Sequence, residues 1–391
     1  MRRKTRLATL GRRADWTHGI VNPPVYRAST VLFDTYAQYR DAVTRPDDTL
    51  YYGRRGTPTH WALKEALTEL HGGAGTWLFP SGVAAVNAAI LAFAGAGDQI
   101  LVPDNAYEPS RMFANRLAKR FGIDAGFYDP CIGADIAGQI TDKTRVILIE
   151  SPGSLTFEVQ DVPAIAAAAK ARGVVTVADN TWATPLLFRP LEHGVDVAVE
   201  ACTKYITGHS DVMMGSATAA AGTWPKLIRV GAGLGQTVSP DDAWLALRGL
   251  RTLELRLQAH EAAALDLARW LAEHPLVAEV LHPALPSCPG HDLWRRDFDG
   301  ASGVFALVLH HADKSALPAM TDQMRHFKMG FSWGGYESLM LPADPAPIRT
   351  ATDWSGKGEL IRLQVGLEDV ADLKQDLADG LDRFARAAGL A

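Results

Sequence analysis

Between residues 61 and 240 the chain alternates two patterns. Short apolar runs occur at 76–79, 99–102, 146–149, 174–178 and 195–199, separated by stretches of helical period such as 83–93 and 162–172. Runs such as Val-Ile-Leu-Ile at 146–149 have no polar face, as strands covered on both sides should not. Strands alternating with helices predict a mainly parallel sheet with helices on its faces.

The pattern differs at both ends. Residues 1–60 show little periodicity and carry Pro23, Pro24, Pro46 and Pro58, which predicts an extended arm with one short helix near 35–43. Beyond residue 240 a long helical pattern at 242–274 repeats Leu245, Leu247, Leu250, Leu253 and Leu257. A smaller unit follows, with strands near 303–309 and 360–365 and an amphipathic helix at 369–388. There is no internal repeat. The expected organisation is an N-terminal arm (1–60), a large α/β domain (61–245) and a smaller C-terminal α/β domain (246–391).

Composition narrows the classes. A chain of 391 residues, 47% hydrophobic and 21% charged, reads as an ordinary globular protein of more than one domain. A net charge of −5 gives no reason to expect a nucleic-acid partner. Cys131, Cys202 and Cys288 are too few for a disulfide framework and fit a reducing compartment. The basic start, Met1-Arg-Arg-Lys-Thr-Arg-Leu, lacks the apolar stretch of a signal peptide, and a transit peptide would be longer and richer in serine. No run approaches the roughly 20 apolar residues of a membrane span. A soluble, cytoplasmic chain is expected.

Several residues stand where chemistry is done in open α/β sheets, just past the carboxyl ends of strands. Lys204 follows the 195–199 run in Glu-Ala-Cys-Thr-Lys-Tyr-Ile-Thr-Gly-His-Ser-Asp; a solvated lysine is the ordinary alternative. Asp179 ends the 174–178 run in Asp-Asn-Thr-Trp and would serve equally as a helix cap. The 25 residues between them fit one βα unit, so both would emerge on neighbouring strand ends. Pro80-Ser-Gly-Val opens a helix, where the free N–H groups of Gly82 and Val83 suit an anion, although Ser81 could simply cap. Tyr52, Arg54 and Arg55 lie together in the arm, and adjacent guanidinium groups suit an anion unless they are only solvated. Tyr107, after the 99–102 run, could stack on an aromatic ring. Arg362 lies inside an apolar strand, which is costly unless an anionic partner or ligand meets it. A pyridoxal 5′-phosphate enzyme needs such a lysine, an acid for its ring nitrogen, a phosphate cradle and a carboxylate clamp.

Other readings are weaker. Gly208-His-Ser-Asp-Val misses the hydrolase elbow at Val212. Gly231-Ala-Gly-Leu-Gly follows no strand, as a nicotinamide site requires. His282, Cys288 and His291 offer three ligands in a Pro/Gly loop, and no metal is expected.

Taken together, these segments resemble the pyridoxal-phosphate enzymes of cysteine and methionine metabolism (fold type I). The likeness runs from Tyr52-Gly-Arg-Arg-Gly-Thr to Leu360-Ile-Arg-Leu-Gln-Val-Gly. Glu150-Ser-Pro-Gly-Ser, Asp179-Asn-Thr-Trp and Ser332-Trp-Gly-Gly-Tyr resemble its bacterial β-lyase branch. The resemblance implies a large cofactor-binding domain and a Schiff-base link at Lys204. It implies Asp179 at the ring nitrogen, Tyr107 on the ring, and Gly82, Val83 and Thr203 at the phosphate. Tyr52 and Arg54 would reach in from a neighbouring subunit of a homo-oligomer, a tetramer in most members. Arg362 would clamp the substrate carboxylate with Ser332, Trp333 and Arg55. The implied reaction is β-cleavage of cystathionine to homocysteine, pyruvate and ammonia, with cystine or cysteine as further substrates. A γ-lyase of the same family and a non-catalytic regulator that binds the cofactor are the alternatives. One departure is visible: Ala201 stands where many members have serine, which removes one expected phosphate hydrogen bond.

Overall fold

All seven apolar runs read as strands form strands in the computed structural model, which describes residues 2–47 and 49–390. Met1 and Asp48 of the expected arm, and Ala391 of the C-terminal domain, lie outside the described residues. The first sheet contains β1 (Gly75–Phe79), β2 (Gln99–Pro103), β3 (Asp124–Tyr128), β4 (Thr144–Glu150), β5 (Val175–Asp179), β6 (Val197–Glu200) and β7 (Gly215–Ala219). Their order is β1-β7-β6-β5-β4-β2-β3. β7 alone runs antiparallel, to both β1 and β6. The second sheet contains β8 (Val277–Leu281), β9 (Val304–Leu309), β10 (Lys328–Met329), β11 (Leu339–Ala343) and β12 (Leu360–Gln364), in the order β10-β11-β12-β9-β8.

One apolar cluster covers a face of the large sheet with Trp182, Leu186 and Leu247, and continues into Val304 and Ala306 of β9. Ile90 and Phe113 belong to the cluster on the other face. A third seals the small sheet under the last helix, Val370–Ala387, through Leu373, Leu377, Leu381 and Phe384.

The structure corrects the reading at three places. The arm is less irregular than its prolines imply, with helices at Arg3–Thr9, Ala14–Thr17 and Tyr36–Thr44; the last is closed by a Thr35–Gln38 capping box. The helix Pro58–His71 opens inside the expected arm, at a proline whose missing N–H costs nothing there. The long helical pattern splits into Pro240–Leu250 and Leu253–Ala272. Its cause is local. The Gly249 carbonyl, which would accept the Leu253 N–H, instead accepts Nη2 of Arg256 at 2.8 Å and the Thr252 N–H at 3.2 Å. Leucine spacing continues across the break, so periodicity alone could not reveal it.

Three features position the site. β4, β5 and β6 are parallel and end in Glu150, Asp179 and Glu200. Residues 201–214 then loop out and return as β7, and the Thr203 hydroxyl ties the two ends by donating to the Met214 carbonyl (3.1 Å) and accepting its N–H (2.9 Å). Finally, buried Asp104, just after β2, accepts the N–H groups of Thr350, Ala351 and Thr352 at 2.8 to 3.1 Å and pairs with Arg111 at 3.0 Å. That bond set docks the segment before β12 onto the large sheet.

Candidate active site

Lys204 sits four residues past β6, and its Nζ donates to Oγ of Ser332 at 2.6 Å while lying 5.3 Å from the Trp333 ring centre. Burial lowers its amine to about 8; the Arg362 charge adds to this and Asp179 opposes it. The uncharged amine, the form that acts as base or nucleophile, is therefore accessible near neutral pH.

Ser332 also meets Arg362. Nη2 of Arg362 donates to the Ser332 carbonyl at 3.0 Å, and Nε is buried without an acceptor. Arg362 stands mid-strand in β12, opposite Leu341 and Ala306. Among the described residues no carboxylate forms an ion pair with it, and burial lowers it to about 10. Among the described residues of this chain no side chain supplies the expected anionic partner, which leaves the position open for a ligand anion. Ser332 has a φ of 85°, a left-handed conformation that a non-glycine residue holds at a cost of about 1–3 kcal/mol. Gly334 follows with φ 86°, and a Cβ there would lie 2.9 Å from the Tyr205 nitrogen and 3.0 Å from the Lys204 carbonyl carbon. Only glycine lets the Ser332–Gly334 loop approach the Lys204 backbone so closely.

Asp179, on the strand beside β6, accepts the Thr181 N–H at 3.1 Å and its hydroxyl at 2.5 Å. Burial raises its carboxyl, while the Thr181 bonds and the Lys204 charge pull it down. Sequence reasoning singled out neither of its acidic neighbours. Glu150 accepts the Tyr107 N–H at 2.8 Å. Glu200 accepts from Asn180 at 3.0 Å and lies 3.5 Å from His71 in a sealed chamber. Each ends an apolar run, the same signal that marked Asp179.

Ser81 caps the helix Gly82–Leu91 by accepting the Ala84 N–H at 3.1 Å, which leaves the Gly82 and Val83 N–H groups directed out of the first turn. A Cβ at Gly82 would stand 2.6 Å from that of Ala201, so the turn abuts the loop carrying Lys204. Tyr107 is 45% exposed, within electrostatic reach of Asp179 and Arg362. The arm residues lie elsewhere. Arg54 donates to the Ala232 carbonyl, Arg55 pairs with Asp47 and faces Trp77, and Tyr52 is exposed; no described hydrogen bond joins them to Lys204, Asp179 or Arg362. A cavity of about 970 Å³ lined by Trp61, Lys64 and Trp77 shares no residue with the Lys204 cluster. Ser210 donates to Glu337 at 2.5 Å rather than to a histidine, and among the described residues no group of three His, Cys, Asp or Glu could hold a metal ion. None of the described helices is long and apolar enough to cross a membrane.

The family model for Cys/Met metabolism PLP-dependent enzymes matches residues 4–382. This chain belongs to that family. It is 48% identical to a putative cystathionine β-lyase of Rhizobium johnstonii over 99% of this chain and 96% of the relative. To a cystathionine β-lyase of Escherichia coli K12 it is 46% identical, over 97% and 98% of the two chains. The crystal structure of a cystathionine γ-synthase from Xanthomonas oryzae pv. oryzae in complex with cystathionine superposes with a TM-score of 0.89 at 34% identity, covering both chains completely. The cofactor of the family is pyridoxal 5′-phosphate. The residues present fit it: a depressed lysine, a carboxylate one strand away, free first-turn N–H groups and a guanidinium with an unpartnered nitrogen.

Proposed function

We propose that this protein is a carbon–sulfur β-lyase that cleaves L-cystathionine to homocysteine, pyruvate and ammonia. What carries the reading is the meeting of Lys204 and Arg362 at Ser332, which sets a base and an anion clamp on two sides of one residue. The β-lyase relatives at 46–48% identity support the choice of reaction.

Lys204 would hold the cofactor until substrate binds and be a free amine thereafter; Asp179 would face the ring nitrogen and Tyr107 the ring. Gly82, Val83 and Thr203 would hold the phosphate. Bound there, pyridoxal 5′-phosphate supplies an electron-poor ring that stabilises negative charge at the substrate α-carbon. Arg362 grips the α-carboxylate and so orients the α-hydrogen toward Lys204, with Ser332 and Trp333 walling the pocket. Ser332 Oγ accepts from Nζ and aims its lone pair when the amine is uncharged. Nζ then takes the proton from the α-carbon and returns one to the departing sulfur, so homocysteine leaves as the thiol. Water converts the remaining three-carbon fragment to pyruvate and ammonia.

The arm supports a shared site. Leu32 and Tyr36 are 88% and 76% exposed, which favours cover by a second copy that would receive Tyr52, Arg54 and Arg55 at its own pocket. The free cysteines favour a reducing, cytoplasmic setting. Product analysis with purified protein tests the function: pyruvate and homocysteine support it, whereas cysteine and 2-oxobutyrate, or no turnover, refute it.

A further inference from the structure

Two carboxyls stand together at the carboxyl edge of the large sheet. Glu150 ends β4, and the register sets it opposite Asp179 of β5. Paired residues on adjacent strands point to the same face, so both side chains enter the same cleft, and both keep some exposure toward its open side. Their surroundings differ. Asp179 has two donors from Thr181 and the Lys204 cation. Glu150 has one neutral donor, the Tyr107 N–H at 2.8 Å. The titratable groups that face Glu150 are Asp179 and the Tyr107 and Tyr128 hydroxyls, and no described cation pairs with it. Neighbouring carboxyls in a poorly solvated site do not both ionise, and the one with weaker support keeps its proton. Burial, then the Asp179 charge, drive Glu150 the same way, well above the usual carboxylate range.

We propose that Glu150 is a positioning residue, an uncharged carboxyl that latches the Tyr107 main chain to the end of β4 and leaves Asp179 as the single negative charge beside Lys204. Tyr107 is the N-cap of the short helix Glu108–Met112, so holding its N–H fixes the backbone that carries its ring. The latch therefore sets the ring against the cofactor pocket while adding no field to it. This rests on the reading of Lys204 and Asp179 as cofactor residues.

The test uses two variants of the holoenzyme. Glu150→Gln keeps an acceptor oxygen and is neutral; Glu150→Leu removes the acceptor. The readouts are the visible circular dichroism of the bound cofactor, which reports ring orientation, and the pH midpoint of its visible absorbance. In Glu150→Leu we expect weakened dichroism and kcat lower by about tenfold, as for loss of one buried hydrogen bond. In Glu150→Gln the dichroism is restored and the midpoint stays within about 0.3 pH unit of the parent. A midpoint lower by about one unit in Glu150→Gln means that an ionised group was lost, and overturns the proposal. Parent-like dichroism and kcat in Glu150→Leu overturn it too. Should Glu150→Leu not fold, the Glu150→Gln midpoint still decides. A parent protein with no visible band defeats the cofactor reading instead, which separates the two failures.

Discussion

Replacing Arg362 by methionine should move stability and catalysis in opposite directions. The guanidinium stands in a strand where no described carboxylate pairs with it, and burial lowers it to about 10, which corresponds to about 3 kcal/mol held against the charged form. A cation with a lowered folded-state value destabilises the fold at every pH below that value, and the penalty fades only as pH rises above about 10. Methionine removes the charge but leaves the Ser332 and Gly330 carbonyls without their donor, a loss of about 1 kcal/mol. The net gain for the cofactor-free protein is about 1–2 kcal/mol, a rise in Tm of about 2–4 °C. Catalysis loses a desolvated charge pair with the substrate carboxylate, about 2–5 kcal/mol, or about 30- to 5,000-fold in kcat/KM. Calorimetry without cofactor and pyruvate release from cystathionine measure the two effects. If Arg362→Met kept kcat/KM within about threefold, the clamp would be wrongly assigned. If it melted several degrees lower, the uncompensated burial would be.

Other perturbations test the geometry around the clamp. The rate at which cofactor-free protein captures pyridoxal 5′-phosphate should climb with pH through about 8, as the Lys204 amine loses its proton, and Lys204→Ala should show no visible band; a rise centred near 10.5 would contradict the enclosed site. Gly334→Ala sets a methyl 2.9 Å from the Tyr205 nitrogen at a φ of 86°. It should destabilise by about 1–3 kcal/mol and lower kcat, and an unchanged melt would refute the close approach. Burial alone would raise Asp104, but the donors of residues 350–352 overcome it and hold the carboxyl at about 2. Its stabilising effect, about 2 kcal/mol, is present above about pH 4 and lost as pH falls toward 2, so Asp104→Asn should melt lower at pH 7 and show a shallower acid limb.

The residues that announce themselves in the sequence are those at odds with their surroundings. A carboxylate closing an apolar run, a lysine just beyond the next one and an arginine inside a third each break a hydrophobic pattern, and the structure gathers Asp179, Lys204 and Arg362. Ser332 and Trp333 break none, and only the family resemblance singled them out; what marks Ser332 is a backbone angle that sequence does not display. Glu150 carried the same signal as Asp179 and went unread because no role was assigned to a second acid. β7, Gly-Ser-Ala-Thr-Ala, has only Thr218 as a β-branched side chain, and its place is set by pairing with β1 and β6. The helix break at 251–252 depends on Arg256 capturing the Gly249 carbonyl, a side-chain bond that leucine spacing does not display. Tyr52, Arg54 and Arg55 stand clear of their own chain's cluster, and no pattern within one chain can say what they meet.

The return of β7 has a consequence for turnover. In a βα crossover the segment after a strand departs to another part of the sheet, and its first residues are held on one side only. Here the stretch from 201 to 214 is stapled at entrance and exit through Thr203 and Met214, a short handle rather than a loose end. The disorder of that backbone is surrendered once, when the protein folds, instead of at each catalytic cycle. What still swings is the four-carbon stem of Lys204, a mobile tip on a still base.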